Sequence, residues 1–186
     1  DAEVIAFNRY GYDRITIGPN TRGITEALGG RFVYPEKGLP YADAPFLKSY
    51  DQLDDIDPID AKKNPRIQTF AKEADILQKE AADIVPIEAS IGGPFTIASN
   101  LRGVELLLRD CRKCPEQIER LMRIITDSQK SCIDVAAEYG VGIAMADPVA
   151  NPALIGPRMY EKFIYPYTKE LTDYALKKTG RKVSLH

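Results

Sequence analysis

The chain has 186 residues, a formal net charge of −2, three cysteines and no tryptophan, with 44% of its residues hydrophobic and 28% charged. That length supports one sizeable core, and the charge balance offers no basic face for a nucleic-acid partner. No apolar run nears the ~20 residues of a membrane helix, the opening DAEVIAFNRYG lacks the layout of a secretory leader, and an odd cysteine count favours a reducing, cytoplasmic setting over a disulfide framework.

The chain opens, without a methionine, on residues that read as the inside of a helix. A first strand is expected over Arg14–Gly18, where β-branched residues run into the Gly-Pro-Asn breaker ending at Asn20. Residues 30–64 are rich in Pro, Asp and Tyr. Apart from a short strand at Phe32–Tyr34 they read as an ordered excursion over one end of the fold. From Pro65 the spacing of Ile67, Phe70, Ala71, Ala74, Leu77 and Ala81 predicts an amphipathic helix. A second strand is expected over Ile84–Ile91, closed by Gly92-Gly93-Pro94 in a loop that reaches Thr96. Helices follow at Gly103–Lys113 and Pro115–Tyr139, the longer with Pro at its first position, Glu116 in its first turn and Gly140 as its stop. The third strand, Val141–Met145, ends at Asp147-Pro148. A last helix runs from Gly156-Pro157 to Gly180, kinked at Pro166, before a fourth strand at Lys182–Leu185 and then His186.

Strands alternating with helices predict a parallel α/β sheet. An open doubly wound sheet and a (β/α)8 TIM barrel both fit, and both bind ligands at the carboxyl ends of their strands. Those ends carry Asn20, the Gly92–Thr96 loop, Asp147 and His186. No G-x-G-x-x-G turn or Walker A loop supports a nucleotide. Four strands are half of an eight-stranded barrel, so on the barrel reading residues 1–186 are part of one barrel domain.

GGPFTIASNLRG, ADPVANPALIGPRMYEKFIYPY and KVSLH together resemble the uroporphyrinogen decarboxylase superfamily, and within it the branch of methylcobalamin:coenzyme M methyltransferases. The likeness is most specific at Gly93-Pro94-Phe95-Thr96, at Asp147-Pro148 and in the Gly156-Pro157…Phe163…Pro166-Tyr167 spacing; ITEALGGRF fits it too. It implies a uroporphyrinogen decarboxylase-like TIM barrel with about four of its eight strands in this chain. Decarboxylases of the superfamily use no metal or cofactor. They hold a tetrapyrrole with an aspartate after the second barrel strand and a tyrosine four residues past the loop threonine. Asn20 and Asn100 stand at those positions here. A neutral amide cannot supply the charge that offsets a cation in a low-dielectric site.

The methyltransferase branch implies zinc held through a His-x-Cys after the fifth barrel strand and a later cysteine. His186 falls at that histidine, and the remaining ligands are expected beyond it. Zinc favours the thiolate form of an acceptor, and three protein ligands leave a position open for it. The implied function is zinc-dependent methyl transfer from methylcobalamin, free or on a corrinoid protein, to a small thiol. Asp147 is then the candidate catalytic carboxylate, Asn20, Phe95, Thr96 and Asn100 are candidate substrate contacts, and His186 is the metal ligand. The alternatives are a uroporphyrinogen decarboxylase, a carboxyl-lyase of porphyrin biosynthesis, and a non-catalytic module that docks a corrinoid protein; self-association stays open.

Other residues carry more than one reading. Asp147 fits a turn cap as well as a functional carboxylate, since Asp-Pro is a common turn pair. Glu88, inside an apolar strand, must either line a functional interior or pair with a buried Arg or Lys. Cys111-x-x-Cys114 is a single pair with no nearby histidine and reads as structural coincidence. Cys132 lies on an apolar helical stripe. Asp51, Asp54, Asp55, Asp57 and Asp60 read as a solvated loop, and Tyr160, Tyr167 and Tyr174, seven apart, as core or interface.

Overall fold

A computed structural model of the protein describes residues 2–186. In chain order the elements are α1 (Ala2–Tyr10), β1 (Ile15–Ile17), α2 (Asn20–Ala27), β2 (Phe32–Val33) and β3 (Tyr41–Ala42). A 3-10 turn at Tyr50–Asp55 and α3 (Pro65–Ala81) lead to β4 (Ile87–Ser90), α4 (Pro94–Arg102) and α5 (Val104–Lys113). Then come α6 (Pro115–Glu138), β5 (Gly142–Met145), α7 (Pro152–Phe163), α8 (Tyr165–Thr179) and β6 (Ser184–Leu185).

Four strands form one parallel sheet in the order β1-β4-β5-β6, while β2 and β3 make a separate antiparallel ribbon. A doubly wound sheet reverses its strand order at a switch point. Here each strand of the sheet pairs with the next one along the chain, with Thr16 opposite Glu88, Glu88 opposite Gly142 and Ala144 opposite Ser184. That winding is a partial (β/α)8 barrel.

Alternation along the strands divides the sheet into two unlike faces. Ile15, Ile17, Ile87, Ala89, Ile143 and Met145 are buried against the helices. Thr16, Glu88, Ser90, Ala144 and Ser184 line the opposite, open face.

The helices grow from clear local causes. α3 starts at Pro65 behind Asn64, whose side chain accepts from the Arg66 and Ile67 amides, and its buried stripe is Ile67, Phe70, Ala71, Ala74, Leu77 and Ala81. α6 spans 24 residues, roughly 36 Å, and packs against α3, α4, α5, α7, α8 and β5. Three polar residues on it anchor other segments. Ser128 Oγ accepts from Ile59 N at 2.9 Å, Ser131 Oγ accepts from Ala61 N at 3.0 Å, and Gln129 Nε2 donates to the Gly92 carbonyl at 2.6 Å.

The excursion over residues 30–64 is ordered by burial of Leu47, Leu53, Ile59 and Ala61 and by one charged clamp. Arg102, at the end of α4, reaches Asp110 on α5 at 2.8 Å and donates to the Leu47 and Lys48 carbonyls at 2.7 and 2.9 Å. Tyr50 donates its hydroxyl to the same carboxylate at 2.9 Å, and its ring lies 4.8 Å under the guanidinium. Burial alone would raise the Asp110 carboxyl, but hydrogen bonds from Arg102, Tyr50 and Arg109 outweigh it and hold the group below the usual carboxylate range.

The structure redraws several expected boundaries. The second strand starts at Ile87, not Ile84, because Pro86 has no N–H for the ladder; its carbonyl still accepts from Ile15 N at 2.9 Å. The loop read through Thr96 is in fact the first turn of α4, with Pro94 at its first position, where a missing N–H costs nothing. Pro166 does not kink a helix: it lies in the first turn of α8, after Ile164 has already left helical geometry. The helix before it begins at Pro152 and breaks at Gly156, whose φ of 72° suits glycine. Of the residues with two readings, Cys132 is fully buried, the five loop aspartates are exposed, and Glu88 pairs with Arg14, an exposed arginine and not a buried one.

Candidate active site

Asp147 follows β5 and joins three strand ends. Its Oδ2 accepts from Phe95 N at 3.2 Å, and its Oδ1 accepts from Thr96 N at 2.8 Å and Thr96 Oγ1 at 2.5 Å. These are the first amides of α4, so the carboxylate caps that helix from another element and sits at the positive end of its dipole. The Thr96 hydroxyl also accepts from Val149 N at 3.2 Å. Gly93 N donates to the Ala146 carbonyl at 2.6 Å, Asp147 N donates to the His186 carbonyl at 3.0 Å, and His186 N donates to the Met145 carbonyl at 2.9 Å. A side chain at Gly93 would meet Asp147 at 2.1 Å, so only glycine lets the loop come this close. Burial pushes the Asp147 carboxyl above the usual carboxylate range; the Thr96 and Phe95 bonds offset part of that rise.

The remaining expected site residues distribute unevenly. The Phe95 ring is fully buried, so only its backbone reaches the strand ends, and Thr96 is buried against Asp147. Asn100 turns from the strand ends towards α2, with Nδ2 3.5 Å from Thr25 Oγ1. Asn20 begins α2 with φ 54°, and its Oδ1 accepts from Arg22 N at 3.0 Å and Gly23 N at 3.2 Å. Its side-chain oxygen therefore serves the helix start, a role suited to asparagine.

His186 opens onto a cleft of about 580 Å³ along the polar sheet face, lined by Arg14, Thr16, Glu88, Ser90 and Ser184 among others. A second hollow of about 480 Å³ shares Thr16 and Ser90 with it and extends to Asn20. The two hollows adjoin at Thr16 and Ser90 in a trough whose β1 end turns towards α1 and α3.

Among the described residues no group of three or more His, Cys, Asp or Glu side chains could hold a metal ion. One imidazole alone does not make a zinc site, which takes three or four protein donors. The cysteines add none. Burial pushes the Cys111 and Cys132 thiols up to about 12, far from the thiolate a metal or nucleophile needs.

A profile of the family described as uroporphyrinogen decarboxylase (URO-D) matches residues 1–186. The chain belongs to that family. Among its relatives, the methylated-thiol–coenzyme M methyltransferase of Methanosarcina mazei is 28% identical over 148 residues, covering 78% of this chain and 40% of that protein. A methylcobamide:CoM methyltransferase of the same species is 29% identical over 141 residues, 74% of this chain and 41% of the relative. A solved methyltransferase from Methanosarcina mazei shares the fold with a TM-score of 0.84 at 22% identity, over 99% of this chain and 54% of that one. The chain thus spans about two fifths of the length of these curated family relatives.

Two groups of this family member escaped the sequence reading. Gln129 sits four residues after Ile125, on the apolar stripe of α6, and a polar residue there signals a buried bond. Arg14 shares strand parity with Thr16, which puts it on the open face with Glu88; two-residue alternation would have revealed it.

Proposed function

We propose that the chain forms the substrate-binding half of a methyltransferase barrel that moves a methyl group from a methylcobamide to the sulfur of a small thiol. The observation that carries this reading is its similarity, along about three quarters of the chain, to Methanosarcina enzymes named for methylated-thiol:coenzyme M and methylcobamide:CoM transfer. Asn20 and Asn100 agree with it, since both replace side chains that a tetrapyrrole decarboxylase would use. A corrinoid protein or free cobalamin as donor partner belongs to the same proposal.

The residues present assign themselves modest and concrete parts. Asp147 locks the β4–α4 loop to the ends of β5 and β6, which keeps the lip of the trough from shifting as substrate enters. Gln129 holds the same loop from below through the Gly92 carbonyl. Zinc, with His186 among its ligands, is the finer form of the reading. The donors described here do not complete such a site, so no step is derived through it.

The test is thiol methylation from methylcobalamin by the intact protein, with metal analysis of the same sample. Methylated thiol product supports the proposal. Release of carbon dioxide from uroporphyrinogen with no methyl transfer would replace it with the decarboxylase reading.

A further inference from the structure

A groove on the helical layer stands apart from the trough and from both edges of the sheet. Its walls belong to the crossovers of the two central strands, since α5 follows β4 and α7 follows β5. The two helices touch, and the cleft between them holds about 450 Å³. Because α6 runs back to the start of β5, the last turn of α5 stands at the carboxyl end of the sheet. That is also the end where α7 begins, shortly after Asp147.

The chemistry of the groove is divided. Leu108, Leu154 and Met159 give it an apolar floor, Arg109, Arg112 and Lys113 give it a cationic wall, and no carboxylate lines it. Asp110 is buried and takes only the Arg109 Nε of these cations. Arg112 and Lys113 are exposed and form no ion pair with a described residue. Leu154 is 52% exposed, an apolar side chain open to water beside unpaired cations. Cations in a last helical turn also complement the helix dipole, but that role asks for no apolar cleft beside them. A small anion would satisfy the wall and leave the floor in water. A nucleic acid would call for more cations and less apolar surface. A helix face that carries carboxylates around apolar side chains uses both, and a groove between two helices is shaped to take a third.

We propose that the α5–α7 groove docks the protein that brings the methyl donor, through an acidic helix face with an apolar centre. The proposal rests on the methyltransferase reading, and adds to it where the partner lands and what its surface must present. Arg112 and Lys113 steer the approach, and the floor around Leu154 holds the docked face.

Methyl transfer by the intact protein is measured with two donors, free methylcobalamin and the methylated corrinoid protein of the same organism. In Arg112→Glu/Lys113→Glu, KM for the protein donor should rise about tenfold at low salt, and the difference should shrink at about 0.5 M salt. Free methylcobalamin should be used as before. Leu154→Ser should raise the same KM about threefold at either salt concentration. An unchanged KM for the protein donor in either variant overturns the proposal. So does an equal loss on both donors, which would place the effect in the barrel itself. Sedimentation of the intact protein with the corrinoid protein separates docking from chemistry. A complex that the charge variant loses, with no thiol methylated from either donor, leaves the dock standing and removes the transferase reading. Methylation from both donors with no difference between parent and variants does the reverse. Salt-sensitive self-association, or binding to phosphatidylglycerol vesicles, with no corrinoid-protein complex gives the groove another occupant and also overturns the proposal.

Discussion

Asp110 and Asp147 both sit where helices meet loops, both have three donors around them, and they titrate in opposite directions. Asp110 faces Arg102 and Arg109, two permanent cations, with the Tyr50 hydroxyl as its third donor. Asp147 faces two amides and a hydroxyl, all neutral. Burial raises both carboxyls, but only at Asp110 do the partners outweigh it. The fold pins its long excursion with full charges, and holds the strand ends, where substrate is proposed to bind, with dipoles alone. A carboxylate held by dipoles is less firmly ionised, a property that recurs at functional sites.

That contrast is open to measurement. The largest effect is expected from Asp110→Ala, which strands the buried Arg102 guanidinium and should cost about 3–5 kcal/mol in urea denaturation. A cost under about 1 kcal/mol would mean the clamp is dispensable. Gly93→Ala should cost about 2–3 kcal/mol in the same assay, because its new methyl would meet the Asp147 Cβ and carboxyl carbon at 2.1 Å. Combined with Asp147→Gly, which removes both the Cβ and the carboxylate that the methyl would meet, it should cost little more than Asp147→Gly alone, and full additivity would show that the two residues do not share one staple. Thr96→Val removes one donor to Asp147 and the acceptor for Val149 N, for about 1–2 kcal/mol by thermal melting.

The smallest and most discriminating effect is the pH dependence. The Asp110 carboxyl is depressed, so its stabilisation is complete above the unfolded carboxylate pKa and drains away as pH falls through the folded value. The Asp147 carboxyl is elevated, so its stabilisation is complete below the unfolded pKa and is lost as pH rises through the folded value. Between about pH 3 and 6, the advantage of the parent protein over Asp110→Asn should grow while its advantage over Asp147→Asn shrinks. Parallel curves from chemical denaturation would erase the distinction between the two regions.

The sheet and its strand ends were legible because parallel strands are short apolar runs with sharp stops. Ile15–Ile17 and Gly142–Met145 lie within the stretches expected. The amphipathic α3 and α6 were legible through their stripes. What failed was local chemistry that serves two purposes: Gly92-Gly93-Pro94 ends a strand and also starts α4, and Pro166 reads as a helix breaker but serves a helix start. The site was readable as a set of positions and not as a set of contacts. Asp147 admitted both a cap and a functional reading, and its capping bonds reach a partner, Thr96, that stands 51 positions away in the chain. Arg102 and Asp110, eight apart across Gly103, have no spacing rule to announce them, because the turn between their helices brings them together.

The placement of α6 sets how motion spreads through the molecule. Residues 124, 125, 126, 128, 129, 132 and 133 are all buried along its middle, and the anchors at Ser128, Gln129 and Ser131 hold Ile59, Gly92 and Ala61. Amides of that middle stretch should exchange with solvent deuterium only when the whole domain opens. The Ile59 and Ala61 amides, though in a loop, should exchange almost as slowly, protected by the helix they hang from.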